Sequence, residues 1–267
     1  MMVIFLTVNL LNIHHGYNFR DLGGYHTQDG KTLRAHKLVR AGKLSDLSDR
    51  DLSYLADYGV RDDVDFRSPD EKKMAPDRVP EGTVYHFDPV FPHDETKVSK
   101  SWAEEQQAFS LDALGGHHNM IRTYGDMIVN PTSQKAYRAF FDVLLANENS
   151  GQSVLFHCSA GKDRTGMAAV FLLSALGVDE ATIRTDYLTT NDYVGGALQA
   201  VLDKAKAGGA NANMLQGLTD LWVAKPEYLD TALATIDKNY GSMAQYLHQA
   251  LQLTGGELKD LRQFYLI

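Results

Sequence analysis

The sequence predicts an α/β fold: a central, mostly parallel sheet flanked by helices, with a helical insertion before the last strand and a helical C-terminal tail. Three observations carry this. Short apolar runs of strand length alternate along the chain with segments of helical period. Ser153-Val154-Leu155-Phe156, a buried-strand signal, leads through a short loop into Met167–Leu176, which is apolar apart from Ser174 and reads as a buried helix. Beyond Pro226 the apolar residues recur at helical spacing.

Taken in order, Val3–Ile13 reads as an opening strand or hairpin arm. Ser48 starts a helix, with Asp51 three residues on as in a capping box. Leu52, Leu55 and Ala56 form its inner face, and Gly59 stops it. Val60 to Phe66 alternates, with Val60, Val64 and Phe66 on one side and Arg61, Asp63 and Asp65 on the other. Asp62 falls in the inward phase, so either the strand begins later or Asp62 is paired. Thr83–Phe87 is a further short strand. Residues 92–130 break the rhythm and read as a lid or insertion. They hold a polar loop at Pro92-His93-Asp94-Glu95, a helix near Ser101–Phe109, a turn at Gly115-Gly116-His117-His118 and a helix over Met120–Ile128. Trp102, Phe109, Met120, Tyr124 and Met127 there either face a ligand or, as is commoner, pack a helix onto the body. His117-His118 and His14-His15 lack a third ligand at recognisable spacing, so no metal is expected.

Residues 134–147 form a helix with Tyr137, Phe140, Phe141, Val143 and Leu144 as its apolar face. After Met167–Leu176, Gly177 supplies a stop and Asp179 caps a helix with Ile183, Tyr187 and Leu188 on one face. Ala205–Ala212 is the loosest stretch. Pro226 suits a first helical position. Leu229, Leu233, Ile236 and Tyr240 form a stripe, and helices near Met243–Leu253 and Glu257–Tyr265 close the chain. A single domain over 1–267 is expected, with 226–267 as its C-terminal helices.

The chemistry concentrates in His157-Cys158-Ser159-Ala160-Gly161-Lys162-Asp163-Arg164-Thr165-Gly166. A loop between a strand end and a helix start can turn its N–H groups around an oxyanion, with the positive end of the helix behind them. At the carboxyl end of a central strand it also lies where such sheets bind ligands. A helix N-terminus and nearby donors lower a cysteine from about 8.5 to roughly 3.5–7.5, so Cys158 is expected as a thiolate and the nucleophile. Arg164 offers a planar fork to two phosphoryl oxygens. Ser159, Ala160, Gly161, Lys162, Asp163 and Arg164 make up the expected phosphate cradle. Small residues let the backbone close, and Gly161 admits positive φ. Thr165 can aim its hydroxyl at the sulfur, and His157 can pin the loop carbonyls. A cysteine at a strand end is ordinarily an inert small hydrophobe, but its company here reverses that reading. The spacing of a Walker-type loop is absent.

Composition fits a compact enzyme: 267 residues, 44% hydrophobic and 22% charged, can bury a substantial core. The net charge of −8 argues against a nucleic-acid partner, so attraction to phosphate must be local. One cysteine provides no disulfide and no resolving thiol, so oxidation of Cys158 would stop at sulfenic acid, a sulfenamide or an external thiol adduct. The apolar start lacks a basic flank and a clear cleavage pattern. Met167–Val178, the longest apolar run, falls short of the ~20 residues a membrane span needs. A cytoplasmic location is the default expectation, without stable membrane insertion. No cofactor is expected.

His-Cys-x-x-Gly-x-x-Arg-Thr resembles the signature of the cysteine-based protein tyrosine phosphatase superfamily. With Gly161-Lys162-Asp163-Arg164 it is similar to a bacterial family of atypical tyrosine and lipid phosphatases, some of them secreted, which leaves export by an unconventional route open. Asn18-Phe19-Arg20-Asp21-Leu22-Gly23-Gly24, Val39-Arg40-Ala41-Gly42, Asp65-Phe66-Arg67-Ser68-Pro69-Asp70-Glu71 and the tail from Pro226 to Ser242 resemble that family's blocks as well. Asp62-Asp63 departs from it, since related sequences usually carry apolar or neutral residues there. The resemblance implies a phosphomonoesterase acting through a cysteinyl-phosphate, on phosphotyrosine proteins or peptides and with dual specificity towards phosphoinositides; the alternative within the family is an enzyme that acts primarily on phosphoinositides. It matches Asp65 to the family's general acid and marks Asp163 as a second candidate; Asp65 could instead serve as a strand-end ion pair. Lys162 is either a second cation for the neighbouring phosphates of a phosphoinositide or the partner of Asp163, Asp65 or a lid carboxylate. A rhodanese-like sulfurtransferase and a non-catalytic phosphate-binding module are the alternatives from other classes.

Overall fold

A computed structural model describes residues 9–98 and 109–267. Strands β1 (Asn9–Leu10), β2 (Arg20–Asp21), β3 (Leu38–Ala41), β4 (Val60–Asp65), β5 (Val84–Phe87) and β6 (Ser153–His157) form one sheet in the order β1-β2-β3-β6-β4-β5. The four strands β3, β6, β4 and β5 are parallel, while β1 and β2 add an antiparallel edge. The helices are α1 (Asp49–Tyr58), α2 (Pro69–Met74), α3 (Gly115–Val129), α4 (Pro131–Ala146), α5 (Arg164–Leu176), α6 (Glu180–Ala207), α7 (Ala212–Trp222), α8 (Pro226–Tyr240), α9 (Met243–Gln249) and α10 (Gly255–Tyr265). The fold class read from the sequence is the one observed. No helix among the described residues is long and apolar enough to cross a membrane.

Both faces of the sheet are covered, which explains why β6 is apolar without alternation. Val39, Ala41 and Leu155 pack with Leu55 of α1 in a small core, while Leu38, Val154 and Phe156 join the large core built with α3 to α10. The α1 capping box forms as expected: the Ser48 side chain accepts from the Asp51 amide, and Gly59 ends the helix at φ 100°. Asp179 likewise caps α6 through Thr182, and Pro226 opens α8.

In β4 the pairing register shifts between Val60 and Asp62. This bulge absorbs the phase conflict, and Asp62 is paired, facing His86 Nε2 at 2.9 Å. The side of β4 bearing Asp63 and Asp65 is covered too, and both carboxylates are buried.

The expected turn at Gly115–His118 is instead the first turn of α3. A Cβ on Gly116 would stand 2.4 Å from the Gly217 carbonyl oxygen of α7. The glycine is there for close helix approach rather than for a turn. Ala205–Ala207 continues α6, whose 28 residues extend well past the cap and first turns marked in the sequence. The expected helix near Ser101–Phe109 lies outside the described residues except for Phe109, as do Trp102 and residues 3–8 of the opening strand.

Candidate functional site

The chain leaves β6 at His157 and enters α5 at Arg164, so residues 158–163 form a loop between the carboxyl end of a central strand and a helix N-terminus. Cys158 lies at its base, 1% exposed. Every carbonyl of the first part of the loop is tied from outside. Tyr17 donates its hydroxyl to Ser159 O at 2.9 Å, and Asn18 Nδ2 donates to Ala160 O and Gly161 O at 3.1 and 2.9 Å. Arg40 Nη2 donates to Gly161 O at 2.8 Å. A trans peptide directs its N–H opposite to its C=O, so these anchors turn the amides of residues 160–162 the other way, into the loop. Gly161 sits at φ 67°, and a Cβ there would stand 2.4 Å from Ala41 O. No other residue fits.

The anchors are themselves fixed by a buried network. Arg20 and Arg40 both pair with Asp186 of α6, which also accepts from the Tyr25 hydroxyl at 3.0 Å. Burial would raise the Asp186 carboxyl, but the two guanidinium groups outweigh it and hold it below the usual carboxylate range. The Asn18–Gly24 and Val39–Gly42 blocks thus brace the loop from behind, which sequence reading did not assign to them.

Arg164 is oriented by a residue that sequence reading passed over. Glu71 accepts from Arg164 Nη1 and Nη2 at 2.6 and 2.8 Å and from Ser159 Oγ at 2.5 Å. The same carboxylate caps α2 by accepting from the Ser68 amide at 2.9 Å. Burial opposes its charge, yet Arg164 and Ser159 bring its pKa down to about 2. The signal was present as Ser68-x-x-Glu71, a capping-box spacing. Thr96 adds a contact to Arg164 Nη2 at 3.1 Å and donates to the buried Asp94 at 2.7 Å.

The two acid candidates lie in different settings. Asp65 receives Arg67 Nε and Nη2 at 2.9 and 2.8 Å and the Tyr85 hydroxyl at 2.7 Å. Burial opposes ionisation, but His157 and Arg67 hold this carboxyl well below the usual carboxylate range. Asp163 accepts from the Tyr124 hydroxyl at 2.8 Å and pairs with Lys162 Nζ at 2.6 Å. Lys162 is fully buried, its Nζ 5.7 Å from the centroid of the Tyr228 ring. His157 directs Nδ1 at Cys158 O, 3.3 Å away. Thr165 Oγ1 is buried and has no hydrogen-bond partner among the described residues.

Ser159 opens onto a cavity of ≈ 380 Å³ whose walls include Tyr17, Lys43, Met74, Val201 and Trp222. The Tyr17 and Trp222 rings stand 6.3 Å apart. Phe109, Met120, Tyr124 and Met127, read as ligand-facing or packing residues, are all buried in the large core. The His117 ring leans against that of Tyr228, tilted by 44° at 5.4 Å, and the His14 and His15 amides donate to Asp51.

A lone cysteine at the mouth of a parallel sheet, beneath a braced loop and beside a clamped arginine, defines a protein of the phosphatase class. A family model for tyrosine phosphatases matches residues 11–267, and the chain belongs to that family. It is 35% identical over 253 residues to a Cupriavidus necator protein whose name assigns it provisionally to the tyrosine-protein phosphatases, covering 93% of this chain and 85% of that one. It is 32% identical over 259 residues to the triple specificity protein phosphatase PtpB of Mycobacterium tuberculosis, covering 88% of this chain and 91% of that one. A tyrosine-protein phosphatase of Nostoc commune is 29% identical over 180 residues, 67% of this chain and 57% of that one.

Proposed function

We propose that this phosphatase hydrolyses phosphotyrosine through a cysteinyl-phosphate, with phosphoinositides as a second substrate class. The observation that carries the reading is the loop: carbonyls pulled outward at three consecutive residues leave inward amides around Cys158, with Arg164 held beside them. Cys158 attacks phosphorus in line. The loop amides and Arg164 stabilise the equatorial oxygens, and water then releases phosphate. The aromatic walls at Tyr17 and Trp222 suit a phenyl ring, and the triple specificity in the name of the mycobacterial relative is in keeping with a broader substrate range.

Asp163 is the general acid in this scheme. It lies in the loop itself, whereas both oxygens of Asp65 are engaged by Arg67 and that carboxylate keeps its charge. Asp163 faces the single ammonium of Lys162, where Asp65 is gripped by a two-pronged guanidinium. Asp163→Asn is therefore expected to lose far more activity on an alkyl phosphate than on nitrophenyl phosphate, by about 10²-fold or more on the former. Asp65→Asn is expected to lose equally on both. Steady-state rates on the two esters check this, and equal losses for Asp163→Asn would clear it of the role.

The substrate class is tested by phosphate release from phosphotyrosine, phosphoserine, phosphothreonine and phosphoinositides, using wild type and Lys162→Ala. Lys162 is bound to Asp163 in this structure, so a phosphoinositide must draw it away. Loss on phosphoinositides alone is the expected result. Uniform loss, or none, rejects the second-cation role.

A further inference from the structure

Behind the nucleophile lies a buried charge cluster that the proposed chemistry does not use. His157 Nε2 faces Asp63 Oδ1 at 3.3 Å, Asp77 Oδ2 at 3.3 Å and Asp65 Oδ1 at 3.8 Å. Asp63, Asp65 and His157 are fully buried. Arg67 reaches Asp65 and Asp77, the Tyr85 hydroxyl reaches Asp65, and the Leu44 amide donates to Asp77 at 2.9 Å. Asp65 and Asp77 are thus satisfied by other partners. Asp63 is different: among the described residues neither of its oxygens accepts a hydrogen bond, and His157 Nε2 donates none. An acid so placed is costly unless something offsets it.

We propose that Asp63 is a positioning residue for the nucleophile, holding the His157 imidazole in its doubly protonated form so that Nδ1–H stays on the Cys158 carbonyl. The proposal rests on the reading of Cys158 as nucleophile. One ring nitrogen stands at ion-pair distance from carboxylates and the other faces a carbonyl oxygen, and only an imidazolium presents a proton to both. The titration of the cluster agrees in sign. Burial would lower His157, but Asp77, Asp65 and Asp63 outweigh it and push it up to about 10, so the ring keeps its charge until pH rises through that value. Burial, with Asp77 and Asp65 beside it, pushes Asp63 up to about 7. Below neutrality Asp63 holds its own proton, and Asp65 and Asp77 balance Arg67 and His157. Above it, the Asp63 carboxylate adds its charge to those of Asp77 and Asp65 in keeping the imidazolium. Asp63 is therefore expected to matter on the alkaline side.

The test pairs ring ¹⁵N NMR with kinetics on the full chain. In wild type both His157 nitrogens are expected to carry protons at pH 7, and Asp63→Asn should lower the pH at which one is lost by about one unit or more. On nitrophenyl phosphate the variant should keep KM and, below pH 6, kcat within about twofold of wild type. As the ring deprotonates, kcat should fall with it, to about a third of the wild-type value at pH 9.5. A singly protonated ring in wild type at pH 7 overturns the proposal without any variant. Parallel pH profiles of kcat overturn it as well, leaving Asp63 a packing residue. Asp63, Asp77 and His157 also lie close enough to share a metal ion, and loss of the Nε2 proton on adding one equivalent of zinc would replace the proposal with a metal site. An inactive wild type would instead refute the phosphatase reading, since the NMR result does not depend on turnover.

Discussion

Cys158→Ser is expected to abolish turnover, by on the order of 10⁴-fold or more, while inorganic phosphate still binds. The two outcomes separate because the contacts that shape the cradle do not involve the sulfur. Tyr17, Asn18 and Arg40 hold the loop carbonyls, and Glu71 holds Arg164 and Ser159. Replacing sulfur by oxygen leaves each of those contacts in place and removes only the polarisable sulfur that the proposed mechanism uses as its nucleophile. Nitrophenyl phosphate kinetics would show the loss, and calorimetric titration with phosphate would show the surviving site. A variant that retained a tenth of wild-type hydrolysis would exclude a covalent intermediate on Cys158.

Arg164→Lys comes second in size, with an expected fall of about 10³-fold in kcat. A lysine keeps the charge but not the fork, and the arrangement around Arg164 is built for a fork: two nitrogens bound to two Glu71 oxygens, and one of them also to Thr96. An ammonium group can satisfy one of those oxygens well, leaving the other buried and under-coordinated. A loss of about 1–3 kcal/mol in stability should accompany the kinetic defect. The ion pair gives a pH signature. Glu71 ionises at about 2 rather than near 4.5, so its contribution is complete above the unfolded value and is lost as pH falls through about 2. Acid unfolding followed by circular dichroism should therefore begin at higher pH in the variant than in wild type. Identical acid limbs would mean that the Glu71–Arg164 pair contributes nothing to folding.

The parts of this protein legible in one dimension are those whose physics is local. A capping residue and its helix lie within one turn of each other, so Ser48, Asp179 and Pro226 marked their helices correctly. Strand β6, the loop and α5 are contiguous, so the Cys158-to-Arg164 spacing carried both the fold position and the oxyanion chemistry. The family followed from the same ten residues and the blocks around them. Errors arose where one residue type serves two purposes. Gly115-Gly116 carries a turn signal, and only the approach of Gly217 shows that Gly116 makes room for a neighbouring helix. In β4 a bulge altered the phase that alternation assumes, which sequence could pose as a question about Asp62 but not answer.

What the tertiary structure alone decided is which charges meet. Glu71 lies 93 positions from Arg164, Asp186 lies 146 from Arg40, and Asp63 and Asp77 come from different segments to face His157. Pairing across such distances depends on strand order and helix docking, which the hydrophobic pattern sets only collectively. The electrostatic state of each acid then follows from its partners and its burial rather than from its residue type. Hence Asp65, matched to an acid by resemblance, is held ionised by His157 and Arg67, whereas Asp63, which had no assigned role, is pushed up to about 7 behind Cys158. The sequence by itself determined the reactive loop, the family and the α/β architecture. Folding determined the partners, because a buried carboxylate's protonation is a property of everything packed around it.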